Sequence, residues 1–321
     1  MTLLVTGAAG FIGAHVCQAL AAAGQPVVGL DNYNDYYDPQ IKRDRVAALC
    51  PQVDIRVLDL TDRAGLEALF DELKPTAVIH LAAQAGVRYS LENPQAYVDS
   101  NLTGFVNILE LCRHRGVEHL VYASSSSVYG DSATPPFSEE QRIDRPRSLY
   151  AATKAANELM AYTYAQLFGL KATGLRFFTV YGPWGRPDMA PLLFSRAVLA
   201  GRPIQVFNEG RMQRDFTHVS DIVAGILGAL SHPSTETIAH QVFNLGNHTP
   251  IELEHFIGVI EAAAGVAAQK IYKPMQPGDM VRTMADTRRA AAAFGYAPNT
   301  PIEEGLPPVV AWCREYFGQN A

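Results

Sequence analysis

Tyr150 and Lys154 stand four residues apart in Tyr150-Ala151-Ala152-Thr153-Lys154. On a helix, that spacing puts both side chains on one face with Cβ atoms about 5–6 Å apart. A free phenol has a pKa near ~10, so a tyrosine serving as a base near neutral pH needs its phenolate stabilised by about 4 kcal/mol. A neighbouring ammonium and a positively charged cofactor ring are the natural sources. Tyr and Lys at this spacing also occur as an ordinary solvated pair, so the pair gains meaning from what lies near it. The run Ser124-Ser125-Ser126-Ser127-Val128-Tyr129-Gly130 follows an apolar stretch over 119–123. Read as a strand, that stretch delivers the serines to the C-terminal edge of a sheet, where open α/β folds bind ligands. Elsewhere a serine run is a polar turn.

A second cluster addresses a cofactor. Gly7-Ala8-Ala9-Gly10-Phe11-Ile12-Gly13 follows a short apolar run and opens a helix-like stretch, so its amides can approach a pyrophosphate at a helix N-terminus. Gly7, Gly10 and Gly13 have GxxGxxG spacing, not the commoner GxGxxG. Asp31, 21 residues after Gly10, ends a second strand, where its carboxylate can accept hydrogen bonds from an adenosine ribose. An acid there disfavours the 2′-phosphate of NADP, and neither Asn32 nor Tyr33 adds positive charge beside it. NAD is the expected cofactor. No metal is expected, because Cys17, Cys50, Cys112 and Cys313 lack the spacing of a zinc site or a redox pair. They read as reduced, buried thiols of a cytoplasmic protein.

The elements that must position these residues follow from the alternation of apolar runs and helix-like stretches. Strands are expected over 2–6, 26–30, 55–58, 77–81, 119–123 and 172–177, with a helix over 11–23 closed by Gly24. Apolar strands separated by helices make an α/β fold, a Rossmann-like, doubly wound parallel sheet. Helical stretches over 94–115 and 149–168 stand out; the second is rich in alanine, which suits close packing within one subunit or between two. After Tyr181 the pattern breaks into a loop, Gly182-Pro183-Trp184-Gly185-Arg186-Pro187, then short, proline-punctuated elements of the kind that build pockets. The expected division is a cofactor domain over 1–180, joined by 215–245, and a smaller mixed α/β substrate domain over 181–214 and 246–321. With 321 residues, 48% apolar and 18% charged, the chain suits an ordinary globular protein. Its net charge of −6, with no basic run, argues against nucleic acid. The first thirty residues carry no Asp, Glu, Lys or Arg, but Gly7, Gly10 and Gly13 interrupt the apolar run and there is no basic n-region. They read as buried, neither exported nor membrane-spanning.

These features together resemble the extended short-chain dehydrogenases/reductases over essentially the whole chain: the glycine motif, Asp31, His80-Leu81-Ala82-Ala83-Gln84, the serine run and Tyr150xxxLys154. The resemblance implies a tightly held NAD, with Ser125 and Tyr150 bonding the reacting hydroxyl and Lys154 reaching the nicotinamide ribose. It also implies Phe11, Ile12, Asn32, Asp59, Leu60, Leu81, Ala82, Ala83, Gln84, Asn101 and Phe177 on the cofactor side. Within that family, the stretches 31–37 and 176–189 resemble the epimerases that act on UDP-glucuronate. Val87, Arg88, Thr179, Arg186, Met189, Arg211, Arg214, Gln276 and Asp279 then fall on the substrate side, with Arg214 suited to pair a diphosphate oxygen. Arg211 reads equally as a surface ion pair. A homodimer through the two long helices is a further implication.

Oxidation at C4 of a UDP-uronate gives a β-keto acid, which loses carbon dioxide readily unless its carboxylate is held near the ring plane. Arg186 and Thr179 are the candidate clamp, since a planar guanidinium fixes a carboxylate as lysine cannot. The competing role for Arg186 is an ion pair with Asp188. Related decarboxylases and dehydratases usually carry glutamate just before Val-Tyr-Gly, whereas this chain has Ser126 and Ser127, which can hold a hydroxyl but do not readily take a proton from carbon. Thr179 and Gln276 replace the Asn and Arg usual in UDP-galactose epimerases. The expected reaction is therefore reversible C4 epimerisation of UDP-glucuronate to UDP-galacturonate. Decarboxylation, or epimerisation of another UDP-hexose, stands as the alternative. A catalytically silent NAD-binding regulator is disfavoured by the presence of both Tyr150 and Lys154.

Overall fold

The computed structural model describes residues 2–275 and 280–318. Seven strands form one parallel sheet: β1 (Leu3–Thr6), β2 (Val27–Asp31), β3 (Asp54–Val57), β4 (Ala77–His80), β5 (His119–Ser125), β6 (Ala172–Phe177) and the strand His240–Leu245. From one edge the order is His240–Leu245, β6, β5, β4, β1, β2, β3, every neighbouring pair parallel. The winding reverses between β1 and β4, which opens a crevice at their C-terminal ends. Both faces are covered, as a parallel sheet requires, and the strands show it at period two. Leu3 and Val5 of β1 enter one core, with Val16, Cys17 and Leu20 of helix α1 (Phe11–Ala22) and Ile222 and Ile226 of helix Val219–Ser231. Leu4 enters the opposite core, with Leu66 and Phe70 of helix Arg63–Leu73, Ile108 of helix Gly104–His114 and Ala161 of helix Leu149–Phe168.

Helix Leu149–Phe168 spans the residues expected of it. Ser148 caps it, its hydroxyl accepting from the Ala151 amide at 3.1 Å, and Gly169 closes it with φ +69°. The stretch 94–115 is not one helix. Pro94–Tyr97 and Gly104–His114 are α-helical, and between them Val98–Thr103 forms a π-helical turn. The widened turn leaves the Asn101 carbonyl to the Asn157 side chain, which donates to it at 2.7 Å. The sequence reading also missed the strand His240–Leu245, whose short His-Gln-Val-Phe-Asn-Leu segment is buried mainly in its second half.

A third core, containing Leu192, Val206, Phe256, Ile260, Leu306 and Val310, lies among helices Ala190–Leu199, Leu253–Ala264 and Ile302–Gly318. Three two-stranded pairings border it: Thr179–Tyr181 with Phe216–His218, Gln213–Arg214 with Ile251–Glu252, and Ile204–Phe207 with Lys270–Lys273. Helix Arg288–Phe294 returns to the central sheet, placing Ala290 in the α1 core.

A buried ion pair fixes helix Leu149–Phe168 against the sheet. Arg176 of β6 donates to Glu158 from Nε at 2.9 Å and Nη2 at 2.7 Å, and Ser124 of β5 donates to the same carboxylate at 2.5 Å. Arg176 Nη1 also donates to the Tyr129 hydroxyl, which donates to Asn244 of the seventh strand. Removing one partner strands a buried charge, so Glu158→Ala is expected to lower stability by about 3–5 kcal/mol in urea unfolding at pH 7. Glu67→Ala, which breaks the exposed pair with Arg63, is expected to lower it by less than about 1 kcal/mol. Equal losses in the two variants would contradict this assignment.

Candidate active site

A cleft of about 430 Å³ runs along the C-terminal edge of the sheet, across the point where the winding reverses. Its floor is the glycine turn. Gly7 has φ +70°, and a Cβ there would lie 2.7 Å from the Ala82 nitrogen. A Cβ on Gly13 would lie 2.0 Å from the Gly7 carbonyl oxygen, so helix and turn close together only without side chains. Gly10 caps α1 in an extended conformation with no side-chain cap. The first amides of α1 are therefore available to an anion, and the turn fits a diphosphate.

Asp31 is buried at the end of β2, one carboxylate oxygen accepting from the Ala9 amide at 3.1 Å and the other from the Tyr33 amide at 2.8 Å. Each oxygen keeps a second acceptor position for a ribose. Asn32 donates to Asp59 at 2.6 Å, and Thr61 bonds the same carboxylate. Although burial opposes it, these bonds hold the Asp59 pKa below the usual value. Phe11, Ile12, Leu60, Leu81, Ala82, Ala83, Gln84 and Phe177 line the cleft, and Lys42 joins them. The Lys42 ammonium donates to both the carbonyl and side-chain oxygens of Asn34 at 2.9 and 2.6 Å. Asn101 is not in the lining; its side chain accepts from the Gln84 amide at 2.8 Å and donates to the Gln84 carbonyl and to Thr153. It shapes the wall from behind.

Tyr150 and Lys154 open the helix Leu149–Phe168 on one face, both lining the cleft. Ser125 stands beside the Tyr150 hydroxyl in the cleft lining. Ser125 Oγ accepts from the Ser127 amide at 3.2 Å and the Ser127 hydroxyl at 2.9 Å. Ser124 and Ser126 also line the cleft, with the Ser124 hydroxyl committed to Glu158. Lys154 Nζ donates to the Ala123 carbonyl at 2.9 Å. Burial dominates both titrations: it raises the Tyr150 phenol above its ordinary value, against the neighbouring Ser125 hydroxyl and the charge of Arg186, and it lowers Lys154 to about 8. The acidification of Tyr150 expected from the sequence is thus not supplied by Lys154 in the bare chain. A ligand carrying positive charge has to complete it.

At the far wall Arg186 lines the cleft, and its Nε and Nη2 donate to Asp188 at 3.0 and 2.5 Å. Tyr36, whose hydroxyl donates to Asp188 at 2.9 Å, lies with its ring 5.7 Å from the guanidinium. Both expected roles of Arg186 are compatible: Asp188 uses the Nε side, and the Nη1/Nη2 end keeps donors for a second carboxylate. Val87, Thr179, Met189 and Arg214 share this wall. Arg88 lies over the Phe207 ring at 5.2 Å, outside the lining, and Arg211 lines a separate recess with Glu209, Glu252 and Arg282. Gln276 and Asp279 lie outside the described residues. The sequence reading did not single out Tyr36, Lys42, Met280 or Thr283, which also line the cleft. Only Tyr36 had a signal, lying in the aromatic, acidic stretch after Asp31.

Oxidising a secondary alcohol needs a dinucleotide at a sheet edge and a proton acceptor within bonding reach of the same carbon, and one crevice here offers both. The class is therefore that of Rossmann-fold enzymes with tyrosine as acid–base. The chain belongs to the NAD dependent epimerase/dehydratase family, whose model matches residues 3–246. It is 47% identical to UDP-glucuronate 4-epimerase 1 of Arabidopsis thaliana, over 100% of this chain and 78% of that one. Among solved structures it resembles UDP-glucuronic acid 4-epimerase from Bacillus cereus in complex with UDP-glucuronic acid and NAD (TM-score 0.91, 32% identity, 98% of this chain and 100% of that one). It also resembles the Thermus thermophilus UDP-glucose 4-epimerase complex with NAD (TM-score 0.86, 34% identity, 98% and 99%).

The folded chain gives up the Lys154 proton near pH 8 and a free lysine near 10.5. Across that interval the unfolded state binds more protons, so this group makes stability rise with pH, by up to roughly 3 kcal/mol. Below pH 8 both states are protonated and the contribution is flat. Urea midpoints of the wild type are expected to gain on those of Lys154→Met between pH 8 and 10.5 and to run parallel below 8. A constant gap throughout would show that Lys154 is not held as a buried ammonium.

Proposed function

We propose that the chain epimerises UDP-glucuronate at C4, reversibly, to UDP-galacturonate. The observation that carries this is Arg186, a partly buried guanidinium with an open end in the same cleft as Ser125, Tyr150 and Lys154. Ser125 orients the C4 hydroxyl, and Tyr150 takes its proton as a phenolate held near Lys154. NAD would be held by the turn of Gly7, Gly10 and Gly13 with its adenosine ribose on Asp31, and would supply a reversible hydride acceptor at C4. Thr179 and Arg186 hold the carboxylate of the 4-keto sugar close to the ring plane, which keeps the bond to the carboxylate out of line with the carbonyl π system. After the ring turns over, Tyr150 gives the proton back and the opposite C4 configuration results. Arg214 is assigned to the diphosphate.

We divide the chain into a cofactor part, 1–180 with 215–245, and a substrate part, 181–214 with 246–321; helix Arg288–Phe294 adds to the cover of the cofactor part's sheet. The assembly we propose is a homodimer. Leu159, Tyr162, Leu167 and Phe168 of one long helix and Val106 of its neighbour are exposed apolar residues that a second copy of the same pair would cover. The four free, buried cysteines support a reducing, cytoplasmic compartment.

Purified protein given UDP-glucuronate is expected to form UDP-galacturonate by NMR without net NADH; turnover of UDP-glucose in its place would overturn the substrate. Tyr150→Phe is expected to lose at least about a thousandfold in kcat while retaining NAD, and Arg186→Ala to release carbon dioxide. In sedimentation, Leu159→Glu is expected to shift a dimer to monomer, and a monomeric wild type would end that part of the proposal.

A further inference from the structure

Arg45 is fully buried, and each of its hydrogen bonds ends on a neutral oxygen. Nη1 donates to the Ala9 carbonyl at 2.6 Å and to the Tyr37 hydroxyl at 3.1 Å. Nε donates to the Trp184 carbonyl at 2.8 Å, and Nη2 to that of Gly185 at 3.4 Å. Burying a guanidinium among neutral acceptors is costly, so its place asks for a reason beyond packing. The acceptors supply one. Ala9 belongs to the glycine turn, and Trp184 and Gly185 directly precede Arg186. Trp184 adopts φ +61°, unusual for a bulky residue, and its ring packs on Trp312 and Tyr316 of helix Ile302–Gly318 at 5.0 and 5.1 Å. Arg45 is thus the side chain that spans from the cofactor turn to the loop bearing the carboxylate clamp.

We propose that Arg45 is a positioning residue that sets Arg186, and so determines whether the 4-keto uronate is returned as epimer or lost as carbon dioxide. This rests on the uronate-epimerase reading. When the loop is loose, the carboxylate leaves the ring plane. The C5–carboxylate bond then breaks, its electron pair enters the C4 carbonyl as an enolate, and protonation leaves a 4-keto pentose. Carbon dioxide departs, and the hydride taken from C4 stays on the cofactor.

The test compares wild type, Arg45→Met and Arg45→Lys with Ile257→Val, a change in the third core. Two readouts are taken: carbon dioxide released per UDP-galacturonate formed, and tryptophan emission of the apoprotein without sugar nucleotide. The chain has only two tryptophans, Trp184 of this loop and Trp312 of helix Ile302–Gly318, and they pack on each other, so emission reports on the contact between loop and helix. Arg45→Met is expected to shift emission and raise the carbon dioxide ratio at least about tenfold. Arg45→Lys, which keeps the charge but not the planar fork, is expected to raise it less, and Ile257→Val to leave both readouts at wild-type values. Wild-type emission and ratio in both Arg45 variants overturn the proposal, as does an equal rise in Ile257→Val. If Arg45→Met does not fold, Arg45→Lys decides alone. If the wild type makes no UDP-galacturonate, the functional reading fails, while emission still tells whether Arg45 holds the loop.

Discussion

The chemistry of this molecule depends on the register of one helix against one sheet edge. Tyr150, Lys154 and Glu158 recur every four residues along Leu149–Phe168, and each meets the end of β5. Tyr150 faces Ser125, Lys154 bonds the Ala123 carbonyl and Glu158 takes the Ser124 hydroxyl with Arg176. A slip of one residue turns every side chain by about 100° and breaks all three contacts together. Glu158 thus helps to set the position of Tyr150, together with the Lys154, Thr153 and Asn157 bonds of the same helix.

Burial gives this arrangement its cost and its selectivity. Removing water raises the Tyr150 phenol and lowers the Lys154 ammonium, so the bare chain disfavours the phenolate–ammonium state that the proposed reaction needs. Charge brought by the ligands tips the balance. At the opposite wall of the same cleft, Arg186 is held charged by Asp188, to which Tyr36 also donates. One end of the crevice therefore waits for positive charge and the other offers it.

Much of this was legible in the sequence because backbone geometry dictates it. The glycines are required where a Cβ would collide with the Gly7 carbonyl or Ala82, Asp31 sits where a strand must end, and the i,i+4 pair fixes one helical face. Distant contacts left no periodic trace. The strand His240–Leu245 is recognised by its pairing with β6, not by its pattern. The break at Val98–Thr103 comes from one inward-turned asparagine, and Arg45 acts through carbonyls more than a hundred residues away as well as through its own neighbours. Arg88 and Arg211 match the family pattern in type, yet they face Phe207 and a separate recess.

The serine run carries a last consequence. An enzyme that returns hydride to either face of a carbon must receive the same hydroxyl in two orientations, and a rigid one-way acceptor would serve only one. Ser125 and Ser127 are rotors, each able to give or take a proton in a hydrogen bond, and they already bond each other beside Tyr150. Reversing the direction of that short chain of hydroxyls requires only rotation about C–O bonds. In the proposed reaction, stereochemical indifference at C4 would then come from the smallest polar side chain available, and strictness would be left to the carboxylate end of the sugar.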